Sequence, residues 1–413
     1  MKIAFFTDCY LDLTGGITTT INAEKEELEK RGHTVYVFSS SYPRSAEARS
    51  RLAKKNIFPV PSCRLFFRGL TPVSRRPAIV EKWIYDNHPE IKDFDLFFVH
   101  YEAGCSIAGL RLAYQFNIPS VQMMHGREDA GEQHIIPFGF RTIVAVALNF
   151  FHELYLPHRT KIKRDHYLAN TVAAVNMWRI MVNHANCADL VITPSEHFKQ
   201  KLIHYGVKRR IEIIPNGVTD RVFVKNLKPR TLEHNQTLRI VWHSRISSEK
   251  RIMPFLHALN QVNGNYRMDV YGGGGDYFRA KSYARYRDLN VIFHGNTNFE
   301  SIYHRILTSH LDILVSYNFD TFGTTLVEAE SAGTPVFIVD PDMKEVVPRN
   351  SYILAKSPSV KDMAKSLNDI FKDPERISKM SEVMLEHRDE VRTSRRVDKL
   401  EEIFKELIEK NRI

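Results

Sequence analysis

Between residues 317 and 335 the chain reads YNFDTFGTTLVEAESAGTP. Two carboxylates, Asp320 and Glu328, flank Gly323, Thr324 and Thr325. The apolar run Leu311 to Ser316 predicts a strand. Gly333 and Pro335 are usual helix-stop residues, so a helix is predicted to start near Gly323 or Thr324. The first N–H groups of a helix have no partner inside it and favour an anion. Glu328 lies about one turn inside and should face the same way as those groups. Carboxylates beside an anion site make sense if they hold hydroxyls. The pattern suits a ligand with phosphates in the middle and hydroxyl-rich groups at both ends, a nucleotide sugar. Read alone, the same residues also make an ordinary turn with a capping acid.

Other residues with chemistry follow predicted strands. Arg245 and Lys250 come after Leu238 to His243, where an α/β sheet binds ligands. Arginine grips phosphate oxygens in bidentate fashion and lysine acts as a point charge. A solvated helix start would look the same. Gly272 to Gly275, with Gly273 in the run, permit close backbone approach to a base or phosphate. His125-Gly126 follows the strand Ser120 to Met124. Gly15-Gly16 follows the first strand, within a turn Thr14 to Gly16, and opens a helix. No GxGxxG fingerprint accompanies it, which weighs against a dinucleotide cofactor.

These residues need a scaffold. Lys2 to Asp8, His33 to Ser39, Leu96 to His100, Ser120 to Met124 and Leu190 to Thr193 read as buried strands with helices between. After Asn216-Gly217-Val218, residues 220 to 237 are polar and aperiodic, like a linker. A second strand series follows: Leu238 to His243, Met268 to Tyr271, Val291 to His294, Leu311 to Ser316 and Pro335 to Val339. Alternating strands and helices predict an α/β fold with parallel sheets covered on both faces. Two domains are expected, 1–218 and 219–393. An amphipathic helix follows at 394–413, with Val397, Leu400, Ile403, Phe404, Leu407 and Ile408 at helical spacing. The 413 residues are ample for two cores, and the net charge of +10 fits nucleic acid, anionic lipid or phosphorylated substrates. No signal peptide or transmembrane run is evident. Four scattered cysteines without CxxC spacing fit reduced thiols in a cytosol.

Taken in order, these motifs resemble those of the retaining GT-B glycosyltransferases of family 4, the group 1 glycosyltransferases. Asp320 and Glu328 match the family's pair of carboxylates, with Phe322-Gly323 between them. Arg245, Glu249 and Lys250 match its Arg…Glu-Lys, and Asn216-Gly217-Val218 its interdomain turn. Gly15-Gly16 and His125-Gly126 match its N-domain positions. The resemblance implies two Rossmann-like domains facing across a cleft, with the last helix crossing back to the first. It implies that Arg245 and Lys250 bind the diphosphate, with Gly16 and Gly273 also on the donor side. Phe322 would also lie on the donor side, and the N–H groups of Gly323, Thr324 and Thr325 would take phosphate or sugar oxygens. Glu328 would hold the ribose, and Asp320 the donor sugar. His125 would act from the acceptor domain. No metal and no cofactor beyond the nucleotide sugar are expected. The sequence departs from the family pattern at Asp320, usually Glu, and at Ser244, usually Gly.

The acceptor should be read in the first domain. Residues 135 to 170 mix Phe138, Phe140, Phe150, Phe151, Tyr155 and Leu156 with Arg141, Arg159, Lys161, Lys163 and Arg164. That is the composition of an interfacial membrane element, or of a core helix followed by a basic loop. The arrangement is also similar to bacterial diacylglycerol glucosyltransferases. The expected reaction moves glucose from UDP-glucose to a lipid such as diacylglycerol, at the inner face of the plasma membrane. A mannosyl- or other hexosyltransferase acting on a glycan is the alternative. A nucleic-acid-binding protein is the alternative of another class, but no motif for it is present.

Overall fold

The computed structural model describes residues 1–9, 11, 15–40, 46–64, 72–127, 129–130, 136 and 138–411. Thr14 and Ile135 lie outside them. The chain forms two compact units, Met1–Ile214 with Val397–Ile413, and Pro215–Arg396. The sequence placed the boundary at 218; the units divide four residues earlier.

The strands of the first unit are β1 (Lys2–Thr7), β2 (Thr34–Ser40), β3 (Ile57–Val60), β4 (Ser62–Arg64), β5 (Pro72–Ser74), β6 (Leu96–Val99), β7 (Ser120–Met123), β8 (Leu190–Thr193) and β9 (Ile211–Ile213). Seven form one parallel sheet in the order β3-β2-β1-β6-β7-β8-β9, while β4 and β5 pair as an antiparallel ribbon. Successive side chains of a strand point to opposite faces. In β1, Ile3 and Phe5 join the core beneath the last helix, whose Val397, Leu400, Phe404 and Ile408 are buried there. Ala4 and Phe6 join the opposite core with Val80, Ile84 and Ala108. Both faces are therefore apolar, which explains why these strands read as continuous hydrophobic runs.

The second unit holds β10 (Leu238–His243), β11 (Tyr266–Tyr271), β12 (Val291–Gly295), β13 (Leu311–Leu314), β14 (Val336–Ile338) and β15 (Tyr352–Leu354). They form a parallel sheet in the order β12-β11-β10-β13-β14-β15. Numbered within the unit this is 3-2-1-4-5-6, the Rossmann order. Residues 220 to 237 are held to this unit rather than slack. Leu232 is buried in its core, and Arg230 bonds through its N–H to Ser381 Oγ at 2.8 Å and through Nη2 to the Ala332 carbonyl at 2.7 Å. The last helix spans Thr393–Asn411. Ser394 is tied to Asp220 through N–H and Oγ at 3.0 and 2.7 Å, and residues from Val397 onward belong to the first unit.

Candidate functional site

In the second unit the chain leaves β12 at one edge and re-enters at β13, on the far side of β10. The crevice outside the carboxyl ends of β10 and β13 is the switch point, where open α/β sheets bind ligands. Arg245 and Lys250 follow β10, and Asp320 and the helix Thr324–Ala332 follow β13. Lys250 Nζ donates to both Asp320 oxygens, at 2.6 and 2.9 Å. Both side chains are mostly buried, and Ser316 Oγ donates to Asp320 Oδ2. Arg245 pairs with Glu249 at 3.2 Å yet stays 62% exposed, its guanidinium accessible to a ligand. Among the described residues no group of three or more His, Cys, Asp or Glu could hold a metal ion.

The helix begins where the sequence predicted. Gly323 caps it at φ +69°, and a Cβ there would lie 2.7 Å from Leu314 Cδ2. Glycine meets both demands, the left-handed backbone and the close approach. Thr325 Oγ1, in the first turn, is buried and has no hydrogen-bond partner among the described residues. The first unit treats its own switch point differently. There Asp8, just past β1, accepts from the N–H groups of Cys105 (2.9 Å) and Ser106 (3.1 Å), at the start of the helix Gly104–Phe116. Ser40 and Ser74 hydroxyls also bond Asp8 Oδ1. The protein's own carboxylate thus fills the helix N-terminus that could otherwise take a phosphate.

Glu328 does not stand alone. His243, the last residue of β10, places Nδ1 3.2 Å from Glu328 Oε2 and Nε2 2.6 Å from Asp312 Oδ2. His243 and Asp312 are buried, while Glu328 keeps some exposure. Burial alone would lower the His243 pKa; the two carboxylates outweigh it and raise it to about 10. Burial lifts Asp312 above its ordinary value, with His243 pulling the other way. Sequence reasoning missed both residues. The signal was a charged Asp312 inside the apolar run LDILVS, opposite a strand ending in histidine.

Two residues assigned to the donor side also pack against the chain itself. Phe322 is buried in the core with Leu314, Leu326 and Val327, so its side chain packs the loop. The glycine run approaches the chain's own backbone: a Cβ on Gly272 (φ +122°) would sit 2.3 Å from the Ser244 carbonyl oxygen. The Gly273 carbonyl accepts from Ile246 N–H at 2.9 Å, and a Cβ on Gly273 would meet Asn296 Oδ1 at 3.0 Å. The run therefore supports the loop that carries Arg245.

In the first unit, Gly16 opens the helix Gly16–Lys30 and is exposed. His125 follows β7, with Nε2 3.1 Å from His100 Nδ1; buried His100 lies 3.8 Å from buried Glu24. The segment read as interfacial contains the helix Arg141–Tyr155. It exposes Ile143, Val146, Leu148, Phe150 and Leu154, while Ala145, Asn149 and His152 face inward. A cavity of about 480 Å³ opens on its flank, lined by Ile79, Gly104, Leu148, Phe151, Arg75 and Arg76, among others. Arg159, Lys161, Lys163 and Arg164 are all exposed just beyond the helix. No described helix is long and apolar enough to cross a membrane.

Comparison with known proteins bears on this arrangement. The model of Glycosyltransferase Family 4 matches residues 14–221, and that of Glycosyl transferases group 1 matches residues 224–385. An alpha-monoglucosyldiacylglycerol synthase of Streptococcus pneumoniae is 24% identical over 362 residues, covering 81% of this chain and 70% of its own. The same enzyme of Acholeplasma laidlawii is 22% identical over 356 residues, covering 82% and 80%. Among solved structures, Anabaena HepE in complex with UDP and glucose superposes with a TM-score of 0.68 over 98% of this chain and all of its own, at 16% identity. Two Rossmann-like units in one chain are the GT-B architecture.

Proposed function

Because the chain belongs to the family 4, group 1 glycosyltransferases, we propose that it moves glucose from UDP-glucose to diacylglycerol or a closely related lipid, retaining the anomeric configuration. The observation that carries the donor side is the convergence of Arg245, Lys250, the start of the helix Thr324–Ala332, Asp320 and Glu328 at one switch point. Arg245 and Lys250 hold the diphosphate, with Gly323, Thr324 and Thr325 offering N–H and hydroxyl groups. As the bond to the sugar breaks, charge grows on the leaving diphosphate. Two cations and a helix N-terminus stabilise that charge where it develops. Asp320 takes donor-sugar hydroxyls and Glu328 the ribose. His125 serves the acceptor side.

The lipid acceptor has two supports. Two relatives that match along most of this chain are glucosyldiacylglycerol synthases. The helix Arg141–Tyr155 exposes an apolar face beside a basic segment, as interfacial helices do. Membrane contact would then be peripheral. The purified protein should release UDP from UDP-glucose, and diacylglycerol in vesicles should stimulate release. Stimulation by a soluble glycan but not by diacylglycerol would discard the lipid reading and keep the transferase.

A further inference from the structure

We propose that His243 is a positioning residue for the donor, a fixed cationic bridge that holds the Glu328 carboxylate in place to receive the ribose. The inference rests on the donor-site reading above and goes past it, to a residue that none of the site's motifs contains.

The geometry is specific. An imidazole has two ring nitrogens, and here each faces a carboxylate. Nε2 lies 2.6 Å from Asp312 Oδ2, and Nδ1 lies 3.2 Å from Glu328 Oε2. Only the protonated ring can donate to both at once. The elevated pKa of about 10 agrees with that state. Asp312 is anchored in the middle of the sheet: its strand β13 pairs with β10 on one side and β14 on the other. Its Oδ1 accepts from the Ile313 N–H at 2.7 Å. The order of rigidity is therefore sheet, Asp312, His243, Glu328. The bridge occupies one oxygen of Glu328, which leaves the other to accept from a ligand.

The charges explain why a cation is needed. Without it, Asp312 and Glu328 would be two carboxylates flanking one buried ring, and like charges at such range disfavour one another's ionisation. A Glu328 that had to swing away would be a poor acceptor for ribose hydroxyls. His243 offsets that repulsion and keeps the carboxylate aimed. A side chain acting this way governs ground-state donor binding. It does not touch the reacting bond, so KM should move while kcat holds.

The test is a double-mutant cycle on UDP-glucose kinetics. His243→Gln should raise KM about tenfold, with kcat within about threefold of wild type. Glu328→Gln should raise KM by a similar factor. The double variant should be no worse than Glu328→Gln alone, because His243 acts only through that carboxylate. Multiplying KM effects would overturn the inference and leave the donor site standing, since they would mean His243 works independently. A wild-type KM in Glu328→Gln would remove the ribose assignment and this inference together. If His243→Gln does not fold, Asp312→Asn carries the test. Its amide keeps an acceptor but loses the charge that holds the ring cationic, and KM should rise at least threefold. An unchanged KM in a folded Asp312→Asn protein would overturn the proposal.

Discussion

Asp320 and Glu328 are held by different partners, and that difference separates their expected phenotypes. Asp320 is gripped by Lys250 and Ser316, whereas Glu328 is steered by His243. Glu328→Gln keeps the shape and removes the charge, so donor affinity should fall. Loss of a charged hydrogen-bond partner costs about 1.5–3 kcal/mol, or roughly 10- to 100-fold in KM. Asp320→Ala removes the group assigned to the transferred sugar, and turnover should suffer more than KM. Lys250 loses its carboxylate partner in that variant but keeps its charge. Wild-type kinetics in both variants would sink the assignment. The cations bear on metal dependence as well. If Arg245 and Lys250 carry the charge of the leaving group, activity should persist in excess EDTA. Loss on chelation, restored by Mg²⁺ or Mn²⁺, would show that two cations and a helix end are too little.

At the scale of elements, the helix Arg141–Tyr155 makes the next claim. Its exposed apolar face and the basic residues after it should bind anionic vesicles at low salt. Each basic residue near such a surface adds on the order of 1 kcal/mol, so Arg141, Arg159, Lys161, Lys163 and Arg164 could supply several. Screening over about 10 Å at 0.1 M salt would weaken the attraction. Charge reversal at Arg159, Lys161, Lys163 and Arg164 should release the protein from vesicles and leave UDP-glucose binding intact. A wild type that fails to float with vesicles at low salt would favour a soluble acceptor. What the sequence could and could not reveal is also a matter of elements. The central strands were readable because burial on both faces makes them continuous apolar runs, as in LRIVWH and LFFV. Missed were β3, β9 and β15, edge strands of three or four residues, and β4 and β5, a ribbon of three residues each, all too short for a pattern. β3 also carries Pro59, tolerated at an edge. The helix start at Gly323 was legible because glycine and proline punctuation is local. The His243 bridge was not, because its meaning depends on Asp312, which lies 69 residues further on.

At the scale of the whole molecule, buried titratable groups set how stability depends on pH. His152 in the first unit and His310 in the second are lowered to about 4, chiefly by burial. The unfolded chain takes up those protons near pH 6.5, so the stability they contribute is present above 6.5 and lost as pH falls towards 4. His243 and Glu330, both in the second unit, act in the opposite sense. Burial, aided by the charge of Glu390, raises Glu330 to about 9, so it stays neutral in the fold while it ionises near 4.5 in the unfolded chain. Its contribution is full below 4.5 and is lost as pH rises through 9. That of His243 is full below 6.5 and is lost as pH rises through about 10. Between pH 7 and 9 both therefore erode stability together. The positive self-repulsion of the chain changes little over that range, because most lysines titrate above it. The melting temperature should fall steadily from pH 7 to 9. Glu330→Gln, neutral at every pH and nearly the same shape, should flatten that slope and melt higher than wild type at pH 9. Thermal melts of both proteins across the range measure this directly. A wild-type melting temperature that holds level or climbs, or a variant that keeps the full slope, would mean that Glu330 is ionised in the folded protein and has found a partner for its charge.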